Sequence, residues 1–142
     1  MTTKIFSALA GLILLFAVAA PLQADSILNH EMTVIVPFEF VAGDRVLAAG
    51  DYTVQINIER GSVVLRGEGQ GQRALILLTT RKESRPAPVL GKLVFRRYGT
   101  SFFLAEVWGQ NNAIGATLAP SSREKELARK EQPQQILVAQ AR

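Results

Sequence analysis

The chain has 142 residues, with 16 Lys and Arg against 12 Asp and Glu, one histidine and no cysteine. The lack of cysteine excludes disulfides, thiol chemistry and the lipid anchor of bacterial lipoproteins. The usual ligands of a zinc site are missing too, so we expect neither a metal nor a cofactor.

The N-terminus has the pattern of a secretory signal peptide over residues 1–24. Lys4 precedes an apolar and small-residue run at residues 5–20, and Ala24 offers the small side chain that signal peptidase needs before its cut. A transmembrane anchor is the alternative, but it needs about 20 apolar residues. The predicted mature protein is one domain, residues 25–142, which is periplasmic or secreted and does not span a membrane.

Two runs of alternating apolar residues predict the first strands. Apolar side chains share one face at residues 32–40 and again at residues 52–58, which is the period of a half-buried strand. Pro37 cannot donate a ladder hydrogen bond, so it predicts a sheet edge or a bulge. Residues 59–61 suit a hairpin whose last residue is left-handed, and residues 63–65 predict the third strand.

Residues 74–78 are apolar on both faces and predict a fourth strand deep in the sheet, covered on each side. The glycine-rich segment before them, residues 67–72, predicts a turn, because no helix or Lys-Ser pair follows as a phosphate loop requires. Residues 81–88 contain two prolines and no periodicity, and they predict the longest internal loop.

Residues 93–98 and 102–108 predict a tight hairpin around Gly99. This hairpin concentrates the aromatic side chains, so we expect it to anchor the core. The aromatic residues are Phe95, Tyr98, Phe102, Phe103 and Trp108.

Residues 121–132 predict a short surface helix, in which Ser121 and Glu124 have the spacing of a capping box. Leu127 and Ala128 are its few apolar docking residues. In the tail, residues 133–142, an apolar segment could form a last strand or dock on a groove or partner, and both alternatives stay open.

Together these elements predict an all-β fold. Six short strands joined by hairpins suggest an antiparallel meander, in which sequential neighbours pair, forming a small sandwich or barrel with a short C-terminal surface helix. The sequence does not choose between sandwich and barrel.

Four segments of the chain have residue patterns that are similar to those of a known protein family. They are Val-Pro-Phe-Glu-Phe-Val-Ala-Gly-Asp with Ala-Gly-Asp-Tyr-Thr-Val at residues 36–54, Leu-Val-Phe-Arg-Arg-Tyr-Gly at residues 93–99, Phe-Phe-Leu-Ala-Glu-Val-Trp at residues 102–108, and Ser-Ser-Arg-Glu-Lys-Glu-Leu at residues 121–127. In these segments the chain resembles a family of small secreted bacterial β-proteins of unknown function. The resemblance implies export and a β fold, and it carries no known activity.

Catalytic residues are few. His30 is the only histidine, so a catalytic triad would run through it, yet it lies before the first predicted strand, where a frayed residue is expected. Paired carboxylates could hydrolyse a glycoside, but nothing in the sequence brings two together, and we expect Glu106 to face outward and pair with Arg96 or Arg97. We therefore expect no enzyme. The carboxylates considered are Glu39, Asp44, Asp51 and Glu106.

Residues 73–97 hold seven Lys and Arg against Glu83 alone. Such a patch could bind an anionic polymer, or it could be a solvated loop and a charged edge that discourages strand aggregation. Specific nucleic-acid binding is not expected, because the aromatic residues are needed in the core. The candidate polyanion-binding residues are Arg81, Lys82, Arg85, Arg96 and Arg97.

The leading hypothesis is an exported, non-catalytic β-domain that acts by interaction, with an envelope protein or an anionic polymer as its possible partner. The alternatives are a small barrel that carries an apolar ligand, binding of an anionic polymer by the basic patch, and a carboxylate hydrolase built on Glu106.

Overall fold

The computed structural model describes residues 29–69 and 73–141, so the predicted signal peptide and its cleavage site lie outside the described residues. In these two ranges the chain forms eleven strands and one helix. They are β1 (Asn29–Val36), β2 (Phe40–Ala42), β3 (Arg45–Leu47), β4 (Gly50–Asn57), β5 (Ser62–Gly67), β6 (Leu75–Leu78), β7 (Thr80–Glu83), β8 (Lys92–Tyr98), β9 (Ser101–Trp108), β10 (Ile114–Thr117), α1 (Ser122–Ala128) and β11 (Gln134–Ala139).

Two mainly antiparallel sheets pack face to face. Sheet A has the strand order β1-β4-β5-β6, and sheet B has the order β11-β8-β9-β10-β7. The β2-β3 hairpin joins sheet B because β2 pairs in parallel with β9, at Val41 and Phe103. The predicted all-β fold with one short C-terminal helix is confirmed, and it is a sandwich rather than a closed barrel.

Pro37 divides the first predicted strand into two strands that belong to different sheets. β1 ends at Val36 in sheet A, and β2 begins at Phe40 in sheet B. Met32, Val34, Val36 and Phe40 are all buried, as the alternation predicted. Proline has no backbone N–H and cannot continue the ladder of β1, so the chain crosses to the other sheet while the same apolar set keeps facing the interior.

Side chains from both sheets fill the space between them. On β4, Tyr52 and Val54 are buried, as predicted. The ring of Phe40 on β2 lies 5.4 Å from the ring of Tyr52 on β4 and 5.3 Å from that of Phe95 on β8, edge to face in both cases. Since the chain has no disulfide, apolar burial and these ring contacts hold the two sheets together.

The predicted aromatic hairpin is confirmed. β8 and β9 pair from Lys92 and Trp108 to Tyr98 and Ser101 at the turn. Gly99 occupies the turn with a φ of 57°, a left-handed conformation that glycine adopts without a Cβ penalty. The hairpin forms the centre of sheet B.

The fourth predicted strand lies at the edge of sheet A, and the expectation of a deep central strand is wrong. β6 pairs with β5 and with no second strand of the described chain. Leu77 is buried, whereas Ile76 and Leu78 are 68% and 84% exposed on the outer face of the sheet. The chain leaves sheet A directly after Leu78, and no later strand of residues 79–141 pairs with β6 or covers that face.

The predicted loop at residues 81–88 begins with a strand instead. β7 pairs with β10 in sheet B, not with its sequence neighbours β6 or β8. All four of its residues are exposed, so it lacks the alternation by which a strand is recognised in the sequence. Sequential neighbours therefore do not pair at this point, because the chain crosses from sheet A to sheet B at Thr79.

The helix α1 is shorter than the predicted residues 121–132, but its start is as expected. The Ser121 hydroxyl accepts a hydrogen bond from the Glu124 N–H at 3.2 Å. This is one half of the predicted capping box. The carboxylate of Glu124 does not complete the box, because it turns toward sheet B.

The C-terminal tail forms a strand, which decides between the two alternatives left open by the sequence. β11 pairs with β8 along its whole length. Beyond it, Gln140 bridges to Val34 of β1, and the Ala141 N–H donates to the Thr33 carbonyl at 2.8 Å. The tail thus links sheet B to sheet A along one side of the sandwich.

Replacing Phe95 with alanine should remove a fully buried ring from the core between the sheets. Loss of a buried Phe side chain costs about 3–5 kcal/mol, and we expect Phe95→Ala to lower the free energy of unfolding by that amount, measured by urea unfolding followed by circular dichroism. Val89→Ala is the control, because Val89 is 75% exposed, and its effect should stay within about 0.5 kcal/mol. Equal losses in both variants would contradict the assigned core.

Candidate interaction surfaces

The five predicted anion-binding residues lie in two groups. Arg81 and Lys82 are on β7 and Arg85 follows it, whereas Arg96 and Arg97 are on β8. β9 and β10 lie between β7 and β8, which places the groups three strand spacings, about 14 Å, apart. The fold therefore does not gather the five side chains into one patch.

Lys82 is engaged by a carboxylate on the outer face of sheet B. Its ammonium forms an ion pair with Glu106 Oε1, and the Trp108 indole N–H donates to Glu106 Oε2 at 2.8 Å. The Trp108 ring rests on Gly115, where an added Cβ would lie 2.5 Å from the ring. Glu106 thus pairs with Lys82, and the expectation of a pair with Arg96 or Arg97 is wrong, because the β10-β7 pairing brings Lys82 over β9.

This network changes the acidity of Glu106. Burial by itself raises the pKa of the carboxyl, but hydrogen bonds from Lys82 and Trp108 and the charges of Lys82 and Arg96 outweigh it, so the pKa lies below its ordinary value. Glu106 is a charged structural partner of Lys82.

Arg96 is engaged by the helix. Its Nε and Nη2 both donate to the Glu124 carboxylate, the second at 3.3 Å, and the Tyr98 hydroxyl donates to Glu124 Oε1 at 3.3 Å. Glu124 is only 2% exposed. Burial raises the pKa of the Tyr98 hydroxyl, and the charge of Glu124 raises it further. The ion pair docks α1 on sheet B.

An apolar contact completes that docking. Leu127 packs on a small cluster formed by Val41, Tyr98 and Phe103 on the outer face of sheet B. Leu127 was predicted to dock the helix, but Glu124 was not. The spacing of Glu124 from Ser121 predicted a hydrogen bond with the backbone at the start of the helix. Nothing in the sequence therefore indicated that its carboxylate would bind Arg96 instead.

The remaining basic candidates are on the surface. Arg97 Nε donates to the Gly99 carbonyl at 2.7 Å, and the guanidinium lies 5.6 Å from the centre of the Phe102 ring. The side chain of Arg85 is 89% exposed and lies 4.0 Å from Glu83. Arg81 is exposed on β7. Of the five predicted residues, Arg81 and Arg85 therefore remain exposed at the β7 edge of sheet B.

His30 is a packed residue and not a frayed one, which corrects the expectation from its place in the chain. It lies within β1, paired with Ile56. Its Nε2 is 2.8 Å from Asn112 Nδ2, and its ring covers Gly109 so closely that a Cβ there would lie 2.9 Å from the imidazole.

The candidate carboxylates are dispersed. Glu39, Asp44 and Asp51 are exposed, before β2, in the β2–β3 turn and on β4 respectively, while Glu106 lies on β9. Within residues 29–69 and 73–141, no three His, Asp or Glu side chains are grouped so that they could hold a metal ion.

The free edge of β6 is the feature that the sequence did not predict. β6 contains no charged residue, and its side chains Ile76 and Leu78 are exposed. An exposed apolar edge strand offers unpaired N–H and C=O groups to another chain. We define residues 74–78 as the β6 edge.

Of the other edge strands, β1, β3 and β7 carry charged residues, and β11 is bridged to β1 just beyond its end. β7, at one edge of sheet B, carries Arg81, Lys82 and Glu83, and charged side chains discourage the addition of a strand. The opposite edge, β11, is bridged to β1 through Gln140 and Val34. Of the five edge strands of the described sheets, β6 and β11 contain no charged residue, and β6 makes no bridge to the other sheet.

A shallow depression of about 550 Å³ lies beside the β6 edge on the outer face of sheet A. Polar side chains form one wall, where Gln55 Nε2 donates to Glu31 Oε2 at 2.5 Å. Val64 and Ile76 form the apolar wall. A chain bound at the β6 edge would lie beside Ile76, at the apolar wall of this depression.

Comparison with protein-family models, curated proteins and solved structures finds no match to this chain. The helix of the described ranges is too short and too polar to cross a bilayer. We therefore infer function from the geometry of the sandwich.

Replacing Glu106 with glutamine should make the free energy of unfolding depend less on pH in the acid range. Since the pKa of Glu106 in the folded protein lies below its ordinary value of 4.5, its charge contributes stability that is complete above that value and is lost as the pH falls through the lower one. We expect wild type to lose more unfolding free energy than Glu106→Gln between about pH 6 and pH 3, measured by urea unfolding.

Glu126→Gln is the control for this profile, because Glu126 is exposed on α1. Its profile should follow the wild type. If the Glu106→Gln profile also ran parallel to the wild type, the assigned network would be wrong.

Proposed function

We propose that this chain is an exported, non-catalytic β-sandwich domain that acts by binding another polypeptide in the cell envelope or outside the cell. The observation that carries the proposal is the β6 edge, an uncharged strand with Ile76 and Leu78 exposed and no neighbour on one side within the described chain. Monomeric proteins usually protect such an edge, so an unprotected one indicates a surface that is covered in use.

Export is supported by the N-terminal pattern around residues 1–24 and by the resemblance of the later segments to small secreted bacterial proteins. A chain without cysteine suits an oxidising compartment, because no thiol can be oxidised there. The proposed location is the periplasm or the medium.

The filled interior of the sandwich favours a role in binding at the surface over a role in carrying an apolar ligand inside. Phe40, Phe95 and Leu65 are at most 1% exposed and meet between the sheets. An apolar ligand would have to displace them, at a cost typical of core disruption. The outer surface of sheet A is the side that remains accessible.

The carboxylates support a non-catalytic role. Glu106 is held by Lys82 and Trp108, and Glu124 by Arg96 and Tyr98. Each is committed to a structural contact, and neither is free to act as an acid or a nucleophile without breaking it.

A second candidate is weak binding of an anionic polymer. It is favoured by the exposure of Arg81 and Arg85 at the edge of sheet B. Lys82, Arg96 and Arg97 contribute less, because contacts within the protein already engage them.

Binding to a heparin column tests this candidate. We expect elution at low salt, because few free cations take part, and Arg81→Ala with Arg85→Ala should remove the retention. Lys125→Ala with Arg129→Ala, on α1 and just after it, is the charge-matched control and should elute like wild type. Retention that resists salt, or is unchanged in the first variant, would exclude this site.

The main proposal is tested by photo-crosslinking in living cells. The full chain is expressed with p-benzoylphenylalanine in place of Leu78, and the control carries it in place of Ile35, which is 56% exposed on the same face of sheet A. We expect a covalent adduct with a protein at position 78 and none at position 35, read by immunoblotting and mass spectrometry. No adduct at position 78 would overturn the proposed function.

A further inference from the structure

We infer that the occupant of the β6 edge is a second copy of this chain, which pairs antiparallel with β6 about a two-fold axis at Ile76. The inference rests on the proposed function and names its partner. Two copies of sheet A would then form one continuous eight-stranded sheet.

The hydrogen bonds of sheet A set which groups face outward. The Thr79 N–H donates to the Gly61 carbonyl at 2.8 Å, one step beyond the Ser62–Leu78 pair. Because bonded and non-bonded pairs alternate in an antiparallel ladder, Leu75 and Leu77 bond to β5. The N–H and C=O groups of Ile76 and Leu78 therefore point away from β5, to the free edge.

The outward N–H and C=O groups of the β6 edge can pair with the same groups of a second copy. With Ile76 opposite Ile76 of the second copy, Leu78 lies opposite Ala74, so three residue pairs can exchange hydrogen bonds across the axis. Directly opposite residues point to the same side of a sheet, so the exposed Ile76 side chains meet on the outer face. A two-fold contact of this kind closes on itself and forms no fibre.

The number of hydrogen bonds selects this register over the next one. A two-fold axis at Leu77 would pair Ile76 with Leu78 and leave Ala74 opposite Thr80, which already lies in sheet B, so only two residue pairs could exchange hydrogen bonds. The axis at Ile76 keeps all three pairs within residues 74–78. This segment contains no charge, so two copies meet without repulsion in the contact itself.

The contact is short, and this limits its strength. Five residues from each copy bury less than the roughly 1,200 Å² of a standard interface, which is the range of weak, transient complexes. The dimer should therefore depend on concentration.

Sedimentation equilibrium of the exported protein, purified from the periplasmic fraction, tests the dimer. Ile76→Lys places two like charges opposite each other, and we expect it to raise the dissociation constant at least about tenfold, or 1.4 kcal/mol. Ile35→Lys is the matched control, since it makes the same change on the same face at the other edge of sheet A, and it should associate like wild type. Circular dichroism confirms that both variants are folded.

Single cysteines test the register in a chain that has none of its own. Ile76→Cys should form an intermolecular disulfide on mild oxidation, because opposite residues of a bonded pair have Cα atoms about 5.5 Å apart. Leu78→Cys should not, because the two copies of residue 78 lie four residues apart along the ladder, about 14 Å.

A wild-type protein that stays monomeric at every concentration, or a dimer that Ile76→Lys leaves unchanged, would overturn the inference. So would a crosslink at position 78 to a protein of another mass, although that result would leave the proposed function standing. Disulfides at position 78 and not at position 76 would overturn the register.

Discussion

Packing of apolar side chains between the two sheets is the interaction on which the rest of this structure depends. The chain has no cysteine, so no covalent link holds the sheets, and the Phe40 ring of sheet B packs edge to face on the Tyr52 ring of sheet A and on the Phe95 ring. The polar contacts of the outer faces, such as Arg96 with Glu124, add a helix to a sandwich that the core already defines.

The sequence predicted the buried half of the fold because period-two alternation reports burial directly. In residues 52–58 the apolar side chains alternate and face the interior, and Gly99 marks the turn of the β8-β9 hairpin. The sequence failed where burial is not periodic. An apolar run such as β6 has no polar side to mark its exposed face, and β7 is exposed throughout, so neither carries a signal for its neighbour in the sheet.

The candidate site was harder to predict, since it depends on which strands are neighbours. Lys82 and Glu106 are 24 residues apart, and only the β10-β7 pairing brings them together. The basic residues looked continuous in the sequence because β7 and β8 are consecutive. In the sheet two strands lie between them, and the acidic side chains Glu106 and Glu124 take up two of the five cations.

β6 and β7 are consecutive edge strands, and they differ in charge. β6 is uncharged and exposes Ile76 and Leu78, and directly after Thr79 the edge of β7 carries Arg81, Lys82 and Glu83. Charge protects the edge of sheet B, whose outer face is already occupied by α1 and Trp108. The edge of sheet A has no such protection, and Ile76 there also lines the depression of the outer face. A strand added at β6 would extend that wall, so the two accessible features of sheet A form one surface.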